Sequence, residues 1–135
     1  MNDPLILKMY NAAGHRIDAA ETLEDSHPLD CLYLAGYGIE CSLKSLVLAR
    51  TPPAGRQQTY DEEFRGGVAH DFEWLHTKLR RLDFVLPSDQ LKRLRTARQI
   101  WSVDLRYESK RPKAKDLNEV LDFARTFWKW TKERL

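Results

Sequence analysis

The chain has 135 residues, of which 42% are hydrophobic and 31% charged, so it suits one domain with its own core and is neither disordered nor low-complexity. Its 22 Lys and Arg residues against 20 Asp and Glu residues give a net charge of +2, which excludes a uniformly basic nucleic-acid binder. Cys31 and Cys41 would lie about 15 Å apart on one predicted helix, too far to pair. Two unpaired thiols, and an N-terminus without the basic segment of a signal peptide, favour a cytoplasmic location.

Apolar residues recur at helical spacing along almost the whole chain, which predicts an all-α, up-and-down bundle in a single domain over residues 1–135. The four long predicted helices and one short one span approximately residues 4–24, 28–50, 71–83, 88–107 and 115–135. The second is apolar on almost all sides, which predicts the central buried helix, and Glu40 and Lys44 within it argue against a membrane span. Residues 51–69 are predicted as one long connection. The aromatic residues of the last helix indicate either a thick core or a dimer interface.

The positive charge is concentrated in one segment of the chain. Residues 1–50 and 51–77 each carry a net charge of −3, residues 78–113 carry +7 and residues 114–135 carry +1. On the fourth predicted helix, one face at three- and four-residue spacing holds Lys92, Arg95, Gln99, Ser102 and Arg106. Such a ridge would neutralise phosphates in a salt-dependent way, and the alternative is an ordinary solvated helix face.

Two groups of residues on the predicted helices carry further information. Tyr33, Tyr37, Glu40 and Lys44 form one seam on the second helix, which we interpret as a structural ion-pair network with Arg106 as a further partner of Glu40. Arg106 could instead grip a phosphate, with Tyr107 beside it. The alternative for Arg106 is a cation that interacts with the carbonyl groups at its helix end.

A catalytic group could come from Arg65 and His70, because a histidine can transfer protons and an arginine can stabilise a phosphorane. The alternative is that His70 caps the third helix and Arg65 lies in a loop. No metal-site spacing, nucleophile turn or phosphate-binding glycine-rich loop is present, so we expect neither a metal nor a cofactor.

Four stretches of the chain carry a family resemblance. The first two are residues 13–23 and Tyr-Leu-Ala-Gly-Tyr-Gly-Ile-Glu-Cys-Ser-Leu-Lys at 33–44, and the later two are His-Asp-Phe-Glu-Trp-Leu at 70–75 and Trp-Ser-Val-Asp-Leu-Arg-Tyr at 101–107. The first two look like the first two helices of the HEPN family and the others like its later signatures, and the sequence resembles this family over roughly residues 8–130.

The resemblance implies a HEPN-like four- to five-helix bundle that usually dimerises. It implies binding of RNA or nucleotides, or a nucleotidyltransferase-type partner protein, in a toxin–antitoxin or defence system. Active members of the family are metal-independent ribonucleases with an Arg followed by a His near the start of the last long helix. No His follows Arg106 in this chain, so only Arg106 is carried over, as a binding residue.

The sequence thus favours a non-catalytic HEPN-type module that binds RNA or a nucleotide and acts as a homodimer or with a partner. The predicted binding residues are Arg106, Tyr107, Lys110, Arg111, Arg95 and Lys92. One alternative is a divergent metal-independent ribonuclease that uses His70 with Arg65 or Arg106. Another is a protein-interaction bundle whose aromatic final helix is the interface.

Overall fold

The computed structural model describes residues 3–135, and no strand occurs among them. The α-helices are α1 (Pro4–Leu23), α2 (Pro28–Arg50), α3 (Arg56–Gln58), α4 (Phe72–Arg81), α5 (Ser88–Ile100) and α6 (Ala114–Lys132). Short 3-10 turns occupy Pro53–Gly55, Gly67–His70 and Val103–Tyr107, and a π-helical turn occupies Thr59–Glu63. The predicted all-α bundle is therefore confirmed.

Helix α2 is the centre of the bundle. It packs against α1, α4 and α6, while α5 packs against α4 and α6 on the outside. By length and mean hydropathy α2 is the one helix in residues 3–135 that could span a membrane, but 83% of its apolar stretch is buried inside the protein. Its apolar character is thus explained by burial in the core.

Two tryptophans pack against glycines of the central helices. The Trp101 indole lies on Gly36 of α2 and donates a hydrogen bond from Nε1 to the Tyr33 carbonyl at 2.9 Å. In the same manner Trp128 lies on Gly14 of α1, and its Nε1 donates to a carbonyl of the preceding turn. A side chain at either glycine would occupy the space of the indole, so the close approach requires glycine at both positions.

Helix α5 ends at Ile100, which corrects the prediction of a helix to Tyr107. Trp101 has extended φ and ψ angles of −110° and 135°, so its indole can enter the notch at Gly36. The chain then forms a separate 3-10 turn, and Ser102 and Arg106 do not continue the predicted ridge of α5.

The connection predicted over residues 51–69 is largely helical, from Pro53 to Glu63 and again from Gly67 to His70. Arg56 holds its first part in place. The Arg56 guanidinium donates to the carbonyl groups of Leu48, Ala49 and Thr51 at the end of α2 and forms an ion pair with Asp3 at 3.1 Å. It thereby satisfies carbonyls that a helix end otherwise leaves without partners.

The aromatic residues of α6 thicken the core. Phe123 and Phe127 are fully buried and stacked at 5.1 Å, and Trp130 stacks on Phe127 at 5.6 Å. Trp128 stacks on Tyr10 of α1 at 5.0 Å. Of the two interpretations of this helix, the structure favours the thick core, because these rings pack within the protein.

Candidate functional site

A buried carboxylate lies at the centre of the candidate site. Glu40 on α2 is only 1% exposed, and its Oε2 accepts a hydrogen bond from Lys44 Nζ at 2.8 Å. The other oxygen, Oε1, lies 2.9 Å from His70 Nδ1. The sequence led us to expect Arg106 as the further partner of Glu40. In the structure that partner is His70. Because a carboxylate accepts hydrogen bonds, Nδ1 of His70 carries the proton of this contact.

The backbone before α4 brings His70 to this position. Gly66 adopts a left-handed conformation with φ of 83°, which only glycine adopts without strain, and the turn Gly67–His70 follows. Asp71 then caps α4 by accepting a hydrogen bond from the Glu73 amide at 3.0 Å. The His70 ring is held between Glu40 and the Tyr37 ring, which it meets edge to face with the ring centroids 5.8 Å apart.

His70 lines a cleft of about 260 Å³ between the start of α4 and the end of α5. The residues around this cleft are Gly67, His70, Asp71, Phe72, Arg98, Trp101, Ser102 and Val103. Phe72 and Trp101 stack face to face at 5.1 Å with an angle of 2° between their planes, and they form an apolar floor. The His70 side chain is 28% exposed, so the imidazole is accessible from the cleft.

An ion pair forms one wall of the cleft. Arg98 Nε and Nη2 donate to the two oxygens of the Asp71 carboxylate at 2.7 and 3.1 Å. Arg98 holds the pKa of Asp71 below its usual 3.8, because its hydrogen bonds outweigh the effect of partial burial. The bidentate pairing neutralises the Arg98 charge and sets its position.

The eleven cations of the basic segment fall into three groups, one of which consists of exposed helical residues that form no ion pair within residues 3–135, namely Arg80, Arg81 and Lys92. On the helices, carboxylates neutralise four of them, and these pairs are Lys78–Glu63, Arg93–Asp122, Arg95–Glu73 and Arg98–Asp71. Within residues 3–135, by contrast, no ion pair involves the exposed cations after α5, which are Arg106, Lys110, Arg111 and Lys113. We call residues 106–113 the cationic connector. Among the predicted binding residues, Arg95 is thus neutralised and Lys92 is exposed.

An exposed aromatic ring stands at the start of the cationic connector. Tyr107 is 76% exposed, and the Arg106 guanidinium lies 4.8 Å from its ring centroid. Arg106 follows Val103, a residue of the cleft, by one 3-10 turn, which rises about 2 Å per residue. The backbone of Arg106 is therefore about 6 Å along this turn from that of Val103.

The two predicted catalytic residues line different clefts. Arg65 lies beside Lys44 in a second cleft of about 220 Å³, together with Tyr60. His70 lies in the first cleft, and Glu40 contacts both Lys44 and His70. The structure thus does not bring Arg65 and His70 into one cleft.

Burial keeps three side chains of α2 protonated near neutral pH, namely Cys31, Tyr37 and Cys41. It raises the pKa of Tyr37 to about 12, with contributions from Glu40 and from a hydrogen bond with Tyr33. Burial also raises the pKa of both cysteines, Cys31 and Cys41, to about 11. Neither a Tyr37 phenolate nor a thiolate of Cys31 or Cys41 is therefore available near neutral pH.

Sequence reasoning singled out His70, Arg106 and Tyr107 but missed the residues that complete the cleft. Asp71 and Arg98 are 27 positions apart, and no pattern along the chain connects them. The Gly-Gly pair at 66–67 was the available signal, because it marks a backbone that turns sharply before His70.

Within the part of the chain that the structure describes, no group of three or more His, Cys, Asp or Glu side chains could hold a metal ion. Comparisons of the chain with protein-family models, with curated proteins and with solved structures found no match.

Proposed function

We propose that this chain is a non-catalytic HEPN-type helical module that binds RNA or a nucleotide through its cationic connector. The observation that carries the proposal is the exposed Tyr107 ring next to Arg106, Lys110 and Arg111, cations without carboxylate partners in residues 3–135. Proteins that bind single strands combine aromatic rings, on which bases stack, with a track of cations for the phosphates.

The distribution of ion pairs supports this choice of surface. A cation already paired with a carboxylate gains little from a phosphate, because it must exchange one anion for another. Arg93, Arg95 and Arg98 are paired in this way, whereas Arg106 and Arg111 are not. Of the four cations on α5 only Lys92 forms no ion pair within residues 3–135, so the proposed surface is the cationic connector and not the face of α5.

The all-α bundle agrees with the HEPN resemblance at the level of fold class. Two further features of the proposal come from the resemblance alone, namely a homodimer and a nucleotidyltransferase-type partner in a toxin–antitoxin or defence system. The absence of a His after Arg106 is the reason for proposing binding without catalysis. Light scattering at tens of micromolar protein tests the homodimer.

The binding proposal is tested by fluorescence anisotropy with a labelled single-stranded RNA at increasing salt. If three cations contact phosphates, a plot of the logarithm of the binding constant against the logarithm of the salt concentration should have a slope of about −2. Arg106→Ala with Arg111→Ala should reduce the slope to about −0.7 and weaken binding at low salt at least tenfold.

The matched control is Arg80→Ala with Arg81→Ala. These two arginines are exposed, belong to the same basic segment and are not on the cationic connector. The control has the same net charge as the test variant, so any effect of overall charge is common to both. Equal affinities of the wild type and the Arg106→Ala, Arg111→Ala variant would overturn the proposal.

A second candidate is a divergent metal-independent ribonuclease, and the His70–Glu40 contact is the observation in its favour. The Glu40 carboxylate on Nδ1 orients the His70 ring and leaves Nε2 without a partner in residues 3–135, as a general base requires. Purified protein should then cleave RNA in the presence of a chelator, and His70→Ala should abolish cleavage. Absence of cleavage by the wild type, or undiminished cleavage by the variant, removes this candidate.

A further inference from the structure

We propose that the cleft beside His70 holds one nucleobase of the bound strand, while the adjoining phosphates lie on the cationic connector. This inference rests on the proposed RNA or nucleotide binding and adds a base site to it. It assigns a ligand group to residues that the phosphate contacts do not use, above all His70, Trp101 and Gly67.

The cleft has the size and lining that a single heterocycle requires. Its volume of about 260 Å³ is just below the range of about 300–1,000 Å³ that is typical of sites for drug-sized ligands. The floor is formed by the stacked rings of Phe72 and Trp101, and Val103 adds apolar surface. Phe72 and Trp101 are only 1% and 4% exposed, so the cleft offers a ligand apolar contact but no free ring face. A small heterocycle suits such a cleft, because it combines an apolar body with polar groups on its edge.

His70 supplies a directional polar group within this apolar cleft. Glu40 Oε1 accepts the hydrogen bond from Nδ1–H, and in this tautomer of the imidazole Nε2 is a hydrogen-bond acceptor. In residues 3–135 Nε2 forms no hydrogen bond, and it is not enclosed. Amino and imino groups on the edge of a nucleobase are donors that suit this acceptor.

The position of the cleft links it to the cationic connector. Trp101, Ser102 and Val103 line the cleft. Val103 also begins the 3-10 turn that contains Arg106 and Tyr107. A nucleotide whose base enters the cleft therefore has its phosphate beside Arg106. Its neighbour in the strand can stack on Tyr107.

Gly67 allows the cleft to be blocked without disturbing its surroundings. A Cβ at Gly67 would meet no atom within 4 Å, and the backbone there is not left-handed. Gly67→Leu should therefore fold normally and fill part of the cleft. Val68→Leu is the matched control, because Val68 is 53% exposed in the same turn and does not line the cleft.

The test compares two labelled strands of equal length, a short oligoadenylate and a ribose-phosphate strand without bases. Gly67→Leu and His70→Ala should each bind the oligoadenylate about tenfold more weakly than the wild type, because the first occupies the cleft and the second removes the acceptor of the hydrogen bond from the base. Both variants should bind the baseless strand as the wild type does, which also shows that they are folded. Val68→Leu should match the wild type on both strands.

The outcomes separate the base site from the proposed function. If the wild type binds the oligoadenylate through Arg106 and Arg111, but Gly67→Leu and His70→Ala bind it equally well, the base site is wrong and the phosphate surface stands. If the two variants lose affinity for the baseless strand to the same extent, the cleft does not recognise a base. If the wild type binds neither strand, the proposed function fails and the base site fails with it.

Discussion

Replacing Gly36 with Ala tests how tightly α2 and Trp101 are packed. An ideal Cβ at position 36 would lie 2.2 Å from Trp101 Cδ1, 2.2 Å from Nε1 and 2.3 Å from Cε2. Ordinary contacts are longer than 3.4 Å, so the indole must move by more than 1 Å. That movement separates Nε1 from the Tyr33 carbonyl, now at 2.9 Å, and disturbs the stack on Phe72.

The magnitude follows from three opposing contributions. Overpacking a close-packed core costs about 1–3 kcal/mol. The lost hydrogen bond of the buried Trp101 indole costs about 1 kcal/mol. Alanine is about 1 kcal/mol more favourable than glycine inside a helix, which offsets the second loss. We therefore expect Gly36→Ala to lower the free energy of unfolding by about 2 kcal/mol.

Urea denaturation measures this loss. With an m-value of about 2 kcal/mol/M the midpoint should fall by about 1 M. In the NMR spectrum the indole N–H signal of Trp101 should shift, while that of Trp128 should stay in place. Gly67→Ala is the control, since its Cβ meets nothing within 4 Å, and its midpoint should not fall. An unchanged or higher midpoint for Gly36→Ala would refute the packing argument.

Three further predictions concern two buried polar groups and the partly buried Arg56, and urea denaturation measures all of them. Burial lowers the pKa of His76 below its usual 6.5, so the unfolded chain binds a proton at a higher pH than the folded protein does. The free energy of unfolding should therefore fall as the pH drops from 6.5 towards 5, by at most about 1.4 kcal/mol per pH unit. His76→Phe should remove this slope, and an identical slope in the variant would contradict the assignment. Arg56→Ala should cost about 2–3 kcal/mol, and Arg56→Lys should restore less than half, because an ammonium cannot reach three carbonyls and Asp3 at once; full rescue by lysine would disprove this. Glu40→Leu should cost about 3–5 kcal/mol because it leaves Lys44 buried without its partner, and adding Lys44→Met should recover most of that loss; additive losses would contradict the pairing.

The ends of α2 could be predicted from the sequence because their causes are local. Pro28 stands in the first turn, and Thr51-Pro52-Pro53 stops the helix, as the structure confirms with Pro28–Arg50. The end of α5 could not be predicted in the same way. The apolar spacing continues to Leu105, but the docking of Trp101 on Gly36 draws the chain out of the helix.

The candidate site shows the same division. His70, Glu40 and Lys44 were each singled out from the sequence, but the contact between His70 and Glu40 joins residues 30 positions apart. The basic segment could be located by counting charges. Which of its cations are neutralised depends on partners such as Asp71 and Glu73 from another helix, and only the fold determines that pairing.

The buried pair Glu40–Lys44 has a consequence for how α2 finds its orientation. A helix that is apolar on nearly every side loses little hydrophobic burial when it rotates about its own axis, so apolar contacts alone would tolerate several packings. Glu40 satisfies its carboxylate only when it faces His70, and Gly36 accepts the Trp101 indole only from one direction. We expect these directional contacts to select a single orientation of α2 about its own axis. The central helix of the core then packs in one way only.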